Sequence, residues 1–447
     1  MPNSLDDYPA PASRVALLGV ISCGMGIAAI LCVWRSWRTA SVFNAHVPEF
    51  IGTALAASAL YLAAVYLALN RRMPRIGLYF VLGATVLFRA LLLPVQPPLS
   101  DDVYRYQWEG RIQRAGLNPY GAVPDNPALK RFQDPLHPIT TGHDTPTLYP
   151  PLAEAVFSWV FTVPGYKRVF TLFDLATAAI LIFILQTVRQ PLARVLIYAW
   201  NPTVLVAFAL CGHFDAMAIF FLAAAILYII KQQSWFSNLF LAAGFLVKFF
   251  PALLLPWVVK HRRWQHLALF IAIVAAAYFR FLSLGWGLFR GASNFARGWE
   301  ANDSLFRVLH LALPSRLTAE AGAAILLLVL VVWSLQQNLK PLNAGLLLIT
   351  ALLLVSPDAF PWYFTWVVPF LCFVPNPPLL LLSVTVVLGY APVTAYAAGQ
   401  PYRNNHLLLL LEYLPALAWL AAQQATRKFA FQRKPTTQDK PADAPAK

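Results

Sequence analysis

Residues 205–230 read LVAFALCGHFDAMAIFFLAAAILYII, two apolar runs separated by a short polar turn. The runs are apolar on every face, whereas the strands of a membrane barrel alternate apolar and polar residues. Backbone inside a bilayer must be hydrogen-bonded within its own segment, which a helix achieves. Because 59% of the 447 residues are hydrophobic and only 12% are charged, the sequence predicts an all-α polytopic integral membrane protein.

Similar apolar stretches recur on both sides of this one. They predict about 12 to 14 transmembrane helices, several of them near the roughly 20 residues needed to cross a bilayer. The expected spans lie near 14–34, 51–70, 76–95, 167–186, 193–209, 214–231, 236–249, 251–259, 264–284, 318–339, 343–356, 361–374, 378–398 and 407–424. We divide the chain into N-terminal transmembrane helices at 1–75, a membrane domain at 76–425 with a large loop at 96–150, and a polar tail at 426–447.

Basic residues are spread between the apolar segments and give a net charge of +15. They form no single basic face, so we expect no nucleic acid and consider anionic lipid the better partner. The positive-inside rule places the short basic loops at Arg75 and Lys340 in the cytoplasm, and the loop 96–150 outside it, in a protein of the inner membrane. Arg35 and Arg38 lie in a short loop and count against this orientation.

The stretch SDDVYRYQWEGRIQRAGLNPY at 100–120 breaks the apolar pattern with acids, aromatics and arginines. A helix that starts after Ser100 would hold Asp101 and Asp102 in its first turn, where carboxylates suit the helix dipole. Capping alone could explain both acids. The prolines before the pair fix a short, stiff element beside the membrane, which would also suit a general base.

Two further polar interruptions lie in the middle of the chain. GHFD at 212–215 places a histidine and an acid between apolar runs, where ionisable groups are costly, and the expected topology brings it within reach of the loop 96–150. KFFP at 248–251 predicts a break in a helix and an ammonium group that needs an anion. A solvated turn and a snorkelling lysine are the alternatives.

The segment SPDAFPWYFTW at 356–366 joins two expected spans by a turn with an acid and several aromatics. Interface anchoring explains its tryptophans more simply than stacking on a sugar. YPPLAE at 149–154 is interpreted as a helix start. The histidines are scattered, the cysteines lie in apolar runs, and the sequence has no Walker or dinucleotide motif, so zinc, disulfide and nucleotide chemistry are not indicated.

These motifs, in their order along a multi-span chain, resemble the polyprenyl-phosphate-dependent glycosyltransferases of the GT-C superfamily, in the bacterial and actinobacterial mannosyltransferase-like branch. The residues that carry the resemblance are DDVY at 101–104, Gly110, GLNPY at 116–120, YPP at 149–151, GHFD at 212–215, Lys248 with Pro251, and PWY at 361–363. The resemblance implies a GT-C-type fold over nearly the whole length. That superfamily usually meets its acidic loop after the first span, whereas three expected spans precede it here, which leaves 1–75 without an assigned role.

The resemblance implies an inverting transfer of a hexose, mannose above all, from a polyprenyl-phosphate sugar to a lipid-linked or envelope glycan acceptor at the extracytoplasmic face. It assigns the general base to Asp101, with Asp102 as the rival or as a partner that orients substrate or a metal. The candidate substrate-binding residues are Arg105, Tyr106, Glu109, Tyr149, His213, Asp215, Lys248, Arg297, Asp358, Trp362, Tyr363 and Arg403. Among these, Lys248 and Arg403, with Arg297 behind them, are the candidates for the leaving phosphate.

No cofactor is called for, although a divalent metal stays open because metals of that kind prefer oxygen ligands. The oxygen ligands available are those of Asp101, Asp102, Glu109, Asp215 and Asp358. Oligomeric state is not fixed by the sequence.

Two other classes share some of these features. A transporter or flippase of a lipid-linked saccharide would also carry arginines, aromatics and broken helices, but transporters often show inverted repeats and matching broken helices in both halves. Here the polar residues concentrate in one loop, and KFFP at 248–251 has no counterpart. An oligosaccharide ligase or polymerase would typically place its large outer loop late in the chain, and this loop comes early.

Overall fold

The computed structural model describes residues 17–22, 24–28, 46–70, 73–134, 142–259 and 263–432. Every element in these ranges is helical, and extended backbone pairs there only in an isolated bridge between Ala301 and Asp358. Residues 17–22 and 24–28 are helical and precede the numbered helices. The protein is therefore an all-α polytopic membrane protein, as the sequence predicts.

The α-helices that follow are α1 (Val47–Asn70), α2 (Arg75–Leu92), α3 (Asp102–Arg114), α4 (Pro151–Trp159), α5 (Val163–Thr187), α6 (Leu196–Ala199), α7 (Pro202–Leu205), α8 (Asp215–Ile230), α9 (Ser234–Phe245), α10 (Leu255–Val259), α11 (Arg263–Tyr278), α12 (Arg290–Gly298), α13 (Leu305–Ala312), α14 (Arg316–Gln336), α15 (Pro341–Val355), α16 (Val368–Leu371), α17 (Pro377–Thr385), α18 (Val393–Ala397) and α19 (His406–Gln432). The 3₁₀ segments are Pro127–Phe132, Leu192–Val195, Phe250–Leu254, Phe279–Phe289, Pro361–Trp366 and Val386–Tyr390, and Val206–Leu210 forms a π turn.

Seven helical segments of the described chain are long and apolar enough to cross a membrane. They are Val47–Asn70, Arg75–Leu92, Val163–Thr187, Trp264–Gly298, Arg316–Gln336, Pro377–Ala397 and His406–Gln423. A bent pair, Leu192–Ala199 with Pro202–Leu210, adds an eighth if its two parts, which meet at 55°, form one span. Shorter apolar helices cover Asp215–Ile230, Phe250–Val259 and Pro341–Val355.

The described chain has fewer long spans than the 12 to 14 expected, because prolines divide some apolar stretches and other stretches form short helices, as at Asp215–Ile230 and Pro341–Val355. The stretch 193–209 bends before Pro202, and 361–374 is a 3₁₀ turn followed by the short helix α16. The break expected around Lys248 is present, since α9 ends at Phe245 and the next turn begins at Phe250. Most of the expected first span at 14–34, and the tail beyond Gln432, lie outside the described residues.

The core lies around α8, which packs against both α5 and α9. A helix that is apolar on every face belongs in the interior, and α8 is buried along most of its length. Side-chain bonds to backbone hold the bent pair in place: Trp200 Nε1 donates to Val81 O at 3.0 Å, and the Tyr61 hydroxyl donates to Ile197 O at 2.7 Å. Such interhelical bonds and close packing stabilise helices in a membrane.

The acidic segment is fixed from both sides. Before it, Lys167 of α5 donates to the carbonyl oxygens of Leu92, the last residue of α2, and of Val95 in the turn that follows. After it, α3 packs closely on α4, and a Cβ on Gly110 would come within 2.9 Å of the Tyr166 hydroxyl and closer still to the backbone of Phe157. Glycine at this position therefore permits the close approach of α3 and α4.

Candidate active site

A cavity of about 1140 Å³ opens between the start of α3, the end of α9 and the segment 356–366. Of the candidate residues, those that line it are Asp101, Asp102, Arg105, Tyr149, Lys248, Arg297, Asp358, Trp362 and Tyr363. Tyr106, Glu109, His213 and Asp215 are buried directly behind its wall. Arg403 is exposed and does not line the cavity. Segments that are far apart in the sequence, from Asp101 to Tyr363, thus meet at one site.

The two acids of the pair differ in their surroundings. Helix α3 begins at Asp102, and Asp101 precedes it as the N-cap residue without a capping bond from its side chain. The backbone N–H of Asp102 instead donates to Ser100 Oγ at 3.2 Å. Asp101 is 6% exposed, whereas the Asp102 side chain is 26% exposed and receives the Tyr106 hydroxyl at 3.4 Å. Capping therefore does not account for the Asp101 carboxylate.

His213 connects the acid pair to the aromatic wall. Its Nδ1 lies 3.4 Å from Asp102 Oδ2, and its ring stacks on Trp362 with centroids 4.1 Å apart. The side chain is fully buried, and neither ring nitrogen makes a hydrogen bond within the described chain. Gly212, with φ +75°, supplies the turn that places this histidine. The GHFD turn is thus in reach of the first loop, as expected, and it is buried rather than solvated.

Asp215 and Lys248 form the second charged unit. Asp215 Oδ1 accepts Lys248 Nζ and Trp366 Nε1, each at 2.7 Å, whereas Asp215 Oδ2 has no hydrogen-bond partner in the described residues. The ammonium lies over the rings of Tyr363 and Phe214, at 4.1 and 4.9 Å from their centroids. Its side chain is 17% exposed and faces the cavity. The anion that the sequence required for Lys248 is Asp215, and cation–π contacts stabilise the charge further.

The tryptophans of 356–366 correct one interpretation. Trp362 and Trp366 are 8% and 6% exposed, and both line the cavity. Trp366 stacks on Phe250 with centroids 4.1 Å apart. Interface anchoring therefore does not explain them, because both side chains are buried inside the protein, where Pro361–Trp366 forms a 3₁₀ turn.

Arg105 and Glu109 hold the loop that covers the cavity. Arg105 Nε donates to Glu109 Oε1 at 2.6 Å, and its terminal nitrogens donate to Gly142 O at 2.5 Å and Thr145 O at 2.9 Å. Burial raises the pKa of Glu109, although the Arg105 guanidinium opposes the shift. Since these contacts occupy the guanidinium, Arg105 serves to position the loop 142–145.

Glu154 is a buried acid that the sequence did not single out. It accepts the Thr147 hydroxyl on Oε1 and Gln113 Nε2 on Oε2, both at 2.6 Å. Burial, and then the neighbouring Glu109, raise its pKa well above the ordinary value. Glu154 thereby joins α4 to α3 and to the loop before Tyr149. The YPPLAE motif begins a helix, as interpreted, and its glutamate fixes that helix in the site.

Two further candidates lie on other segments of the cavity wall. Asp358 lines the cavity on the segment bridged to Ala301 and is 7% exposed, and Arg297 is exposed at the cavity edge and bonds to Ser293 of its own helix. Among the described residues, no group of three or more His, Cys, Asp or Glu side chains could hold a metal ion. The five acids considered for a metal are therefore not gathered into one ligand set.

The fold defines an all-α polytopic membrane protein, and its family match is consistent with a GT-C mannosyltransferase-like protein. The chain belongs to the MptA_B family, because the family model described as "Alpha-(1->6)-mannopyranosyltransferase, N-terminal domain" matches residues 12–262, more than half of the sequence. No curated protein matches the chain. The matched range contains the acid pair, the GHFD turn and Lys248, and ends before Asp358 and the aromatic segment after it.

Proposed function

We propose that the protein is an integral-membrane mannosyltransferase that moves a mannosyl unit from a polyprenyl-phosphate donor to a glycan or lipid-linked acceptor. The observation that carries the proposal is the joint presence of a partly exposed carboxylate, Asp102, and a cation, Lys248, on the wall of one aromatic-lined cavity. The family description, an α-(1→6)-mannopyranosyltransferase domain, supports the sugar and the reaction class.

Asp102 is the better candidate for the general base. It is the more exposed acid of the pair, it faces the cavity, and Tyr106 and His213 flank its Oδ2 atom. In the proposed step this carboxylate accepts the proton of the acceptor hydroxyl while the hydroxyl oxygen forms a bond to C1 of the donor sugar. A base must lie within about 3 Å of that hydroxyl, directly or through one water. Asp101 remains the rival for this role.

The leaving group departs as the C1–oxygen bond breaks and the electron pair stays on the phosphate. Lys248 has three N–H donors, of which Asp215 accepts one. Its ammonium at the cavity wall can therefore stabilise the phosphate oxygens, which is the electrostatic contribution such a step requires. Arg297 lies on the same cavity and adds a guanidinium at its exposed edge. Displacement of a β-linked donor with inversion gives the α linkage named in the family description.

We expect both substrates to occupy the cavity together. Its 1140 Å³ exceeds the roughly 300–1,000 Å³ typical of a site for one small ligand. We place the cavity at the extracytoplasmic face of the inner membrane in this proposal, and the charge distribution of the short loops supports that orientation.

The test is transfer of radiolabelled mannose from short-chain polyprenyl-phosphate mannose to octyl α-mannoside by the purified protein in detergent. Asp102→Asn should reduce the rate by about 10²–10⁴-fold, the usual worth of a general base. Asp134→Asn is the matched control, because Asp134 lies in the same loop, is 24% exposed, pairs with Arg111 and does not line the cavity. It should retain the wild-type rate.

The two acids are separated by the same assay. Loss of transfer in Asp101→Asn together with a wild-type rate in Asp102→Asn would move the base to Asp101. Wild-type rates in both variants would remove the acid pair from the mechanism. Movement of the lipid-linked sugar across vesicles without a product of altered mass would favour a flippase instead.

A further inference from the structure

One part of the cavity wall combines a single acid with a group of aromatic rings. We call it the distal arm and define it by Asp358 and the rings of Trp299, Phe360, Tyr396 and Tyr402, all of which line the cavity. The Ala301–Asp358 bridge and a bond from the Asp358 N–H to Ser356 Oγ at 3.2 Å fix the acid in place. Asp358 is 7% exposed, and its Oδ1 has no hydrogen-bond partner among the described residues.

The rings of the distal arm form one group. Phe360 lies 5.9 Å from both Trp299 and Tyr402, and Tyr396 lies 6.1 Å from Tyr402, measured between ring centroids. Phe360 also stacks on Trp362 at 4.6 Å. Because Trp362 in turn stacks on His213 beside Asp102, an uninterrupted series of rings joins the distal arm to the acid pair.

The charges around Asp358 favour a neutral ligand, because the two other acids that line the cavity there, Glu300 and Glu320, are paired with Arg316. The Arg316 guanidinium donates to Glu320 at 2.8 Å, to Glu300 at 3.0 Å and to the carbonyls of Ala296 and Trp299. Burial raises the pKa of Asp358 to about 8, with Arg316 opposing the shift. Burial thus favours the protonated form of this carboxyl group, which can both donate and accept hydrogen bonds.

The unpartnered acid also argues against a hydrocarbon occupant. A polyprenyl chain would pack well on the rings, but it would leave the Asp358 oxygen buried without a hydrogen bond, which costs free energy. A neutral ligand with several hydroxyl groups and an apolar ring face satisfies both the carboxyl group and the aromatics. Binding sites of this kind combine apolar walls with a few placed polar groups.

We infer that the distal arm is a subsite for a pyranose unit of the acceptor glycan, separated along the ring series from the unit whose hydroxyl reacts at Asp102. This inference rests on the proposed function. It assigns to Asp358 a hydrogen bond to a sugar hydroxyl and to Trp299 a packing contact with the sugar ring. It also makes acceptor length a determinant of the rate.

The test compares octyl α-mannoside with octyl α-(1→6)-mannobioside as acceptors. Wild type should prefer the bioside, and Asp358→Ala should lower the ratio of kcat/KM for the bioside to kcat/KM for the monoside roughly tenfold, the worth of about one hydrogen bond. Asp358→Asn should recover part of the loss, because an amide also donates and accepts. Asp134→Ala, outside the cavity, is the control for folding and insertion.

Equal losses for both acceptors, or no loss for either, would overturn the inference. A rise in the donor KM of Asp358→Ala would place the donor sugar in the distal arm instead. A direct binding measurement keeps the test independent of the transfer reaction: saturation-transfer NMR with methyl α-(1→6)-mannobioside should give a signal with wild type and Asp134→Ala that Asp358→Ala lacks. An equal signal from Asp358→Ala would contradict the subsite even if wild type catalysed no transfer.

Discussion

Two buried ion pairs of this protein differ in whether their charged groups can contact a ligand. In the first, Arg89 donates to both oxygens of Asp174 at 2.5 and 3.0 Å, and also to the carbonyls of Thr85 and Ala199. Both side chains are at most 1% exposed, and neither lines the cavity. In the second, Lys248 meets Asp215 through one oxygen, is 17% exposed and faces the cavity.

Burial and hydrogen bonding indicate which ion pair has a structural role and which can contact a ligand. A buried pair in which both partners are fully hydrogen-bonded offers nothing to a ligand, and its removal leaves an uncompensated charge. The Arg89–Asp174 pair joins α2 to α5 in this way. The Asp215–Lys248 pair keeps N–H donors and a carboxylate oxygen without partners in the described chain, beside a cavity that can admit an anion. We therefore expect the first pair to determine stability and the second to determine activity.

Arg89→Met should produce the largest effect, a loss of about 3–5 kcal/mol of stability, because it leaves the Asp174 carboxylate buried and unpaired. Thermal unfolding of the purified protein in detergent measures the loss. The double variant Arg89→Met with Asp174→Leu should recover most of it, since no buried charge remains. An unchanged Tm in the single variant would contradict a structural role for this pair.

Lys248→Met should reduce transfer by about 10²–10³-fold, comparable to the loss of one electrostatic stabiliser of a transition state. Its Tm should fall less than that of Arg89→Met, because Trp366 Nε1 still donates to Asp215. The two variants together test the contrast between the pairs. If Lys248→Met lost as much stability as Arg89→Met and kept its kcat, the second pair would be structural as well.

His213 offers a smaller and more local test. His213→Phe keeps a ring that can stack on Trp362 but removes the nitrogen 3.4 Å from Asp102 Oδ2. We expect kcat to fall about tenfold, because the variant loses the electrostatic contact of the ring nitrogen with the Asp102 carboxylate, with little change in the acceptor KM. His213→Gln should recover part of the rate. A pure packing role would instead give a wild-type kcat in His213→Phe.

The sequence predicted the parts of this contrast that depend on local pattern. Apolar runs predicted the helices, the cost of a lysine in an apolar stretch predicted an anion for Lys248, and Pro251 predicted the break beside it. The topology expected from the basic loops predicted that the GHFD turn at 212–215 lies within reach of the loop 96–150. The structure places Asp102 and His213 side by side, in agreement with that expectation.

The sequence did not predict the hydrogen-bond partners of the site residues, because these partners lie on distant segments that share no periodic pattern. Trp366 bonds to Asp215 across 151 positions, and Glu154 meets Gln113 across 41. Composition predicts that the tryptophans of 356–366 lie at the membrane interface, because it does not distinguish an interfacial aromatic residue from one buried in a 3₁₀ turn. Trp299 and Tyr402 carried no signal beyond being aromatic residues in loops, and only the fold gathers them around Asp358.

Glu154 differs from the acids of both ion pairs. It is a buried acid that accepts hydrogen bonds but has no cation bonded to it among the described residues. Because its pKa is raised, the folded protein keeps a proton that the unfolded chain releases above the ordinary value. Stability from this group is therefore present at low pH and decreases as the pH rises toward the raised pKa.

Glu154→Gln should remove this pH dependence while keeping both hydrogen bonds, because an amide can accept from Gln113 and donate to the Thr147 hydroxyl. At about pH 5 the variant should match wild type, and at about pH 8 it should be more stable, by an amount on the order of 1 kcal/mol. Thermal unfolding at the two pH values measures the difference. Glu49→Gln, at an exposed side chain, should follow wild type throughout. If Glu154→Gln were instead less stable than wild type at the higher pH, the Glu154 carboxylate would be held in its charged form. The absence of a bonded cation would then not distinguish Glu154 from Asp174 and Asp215.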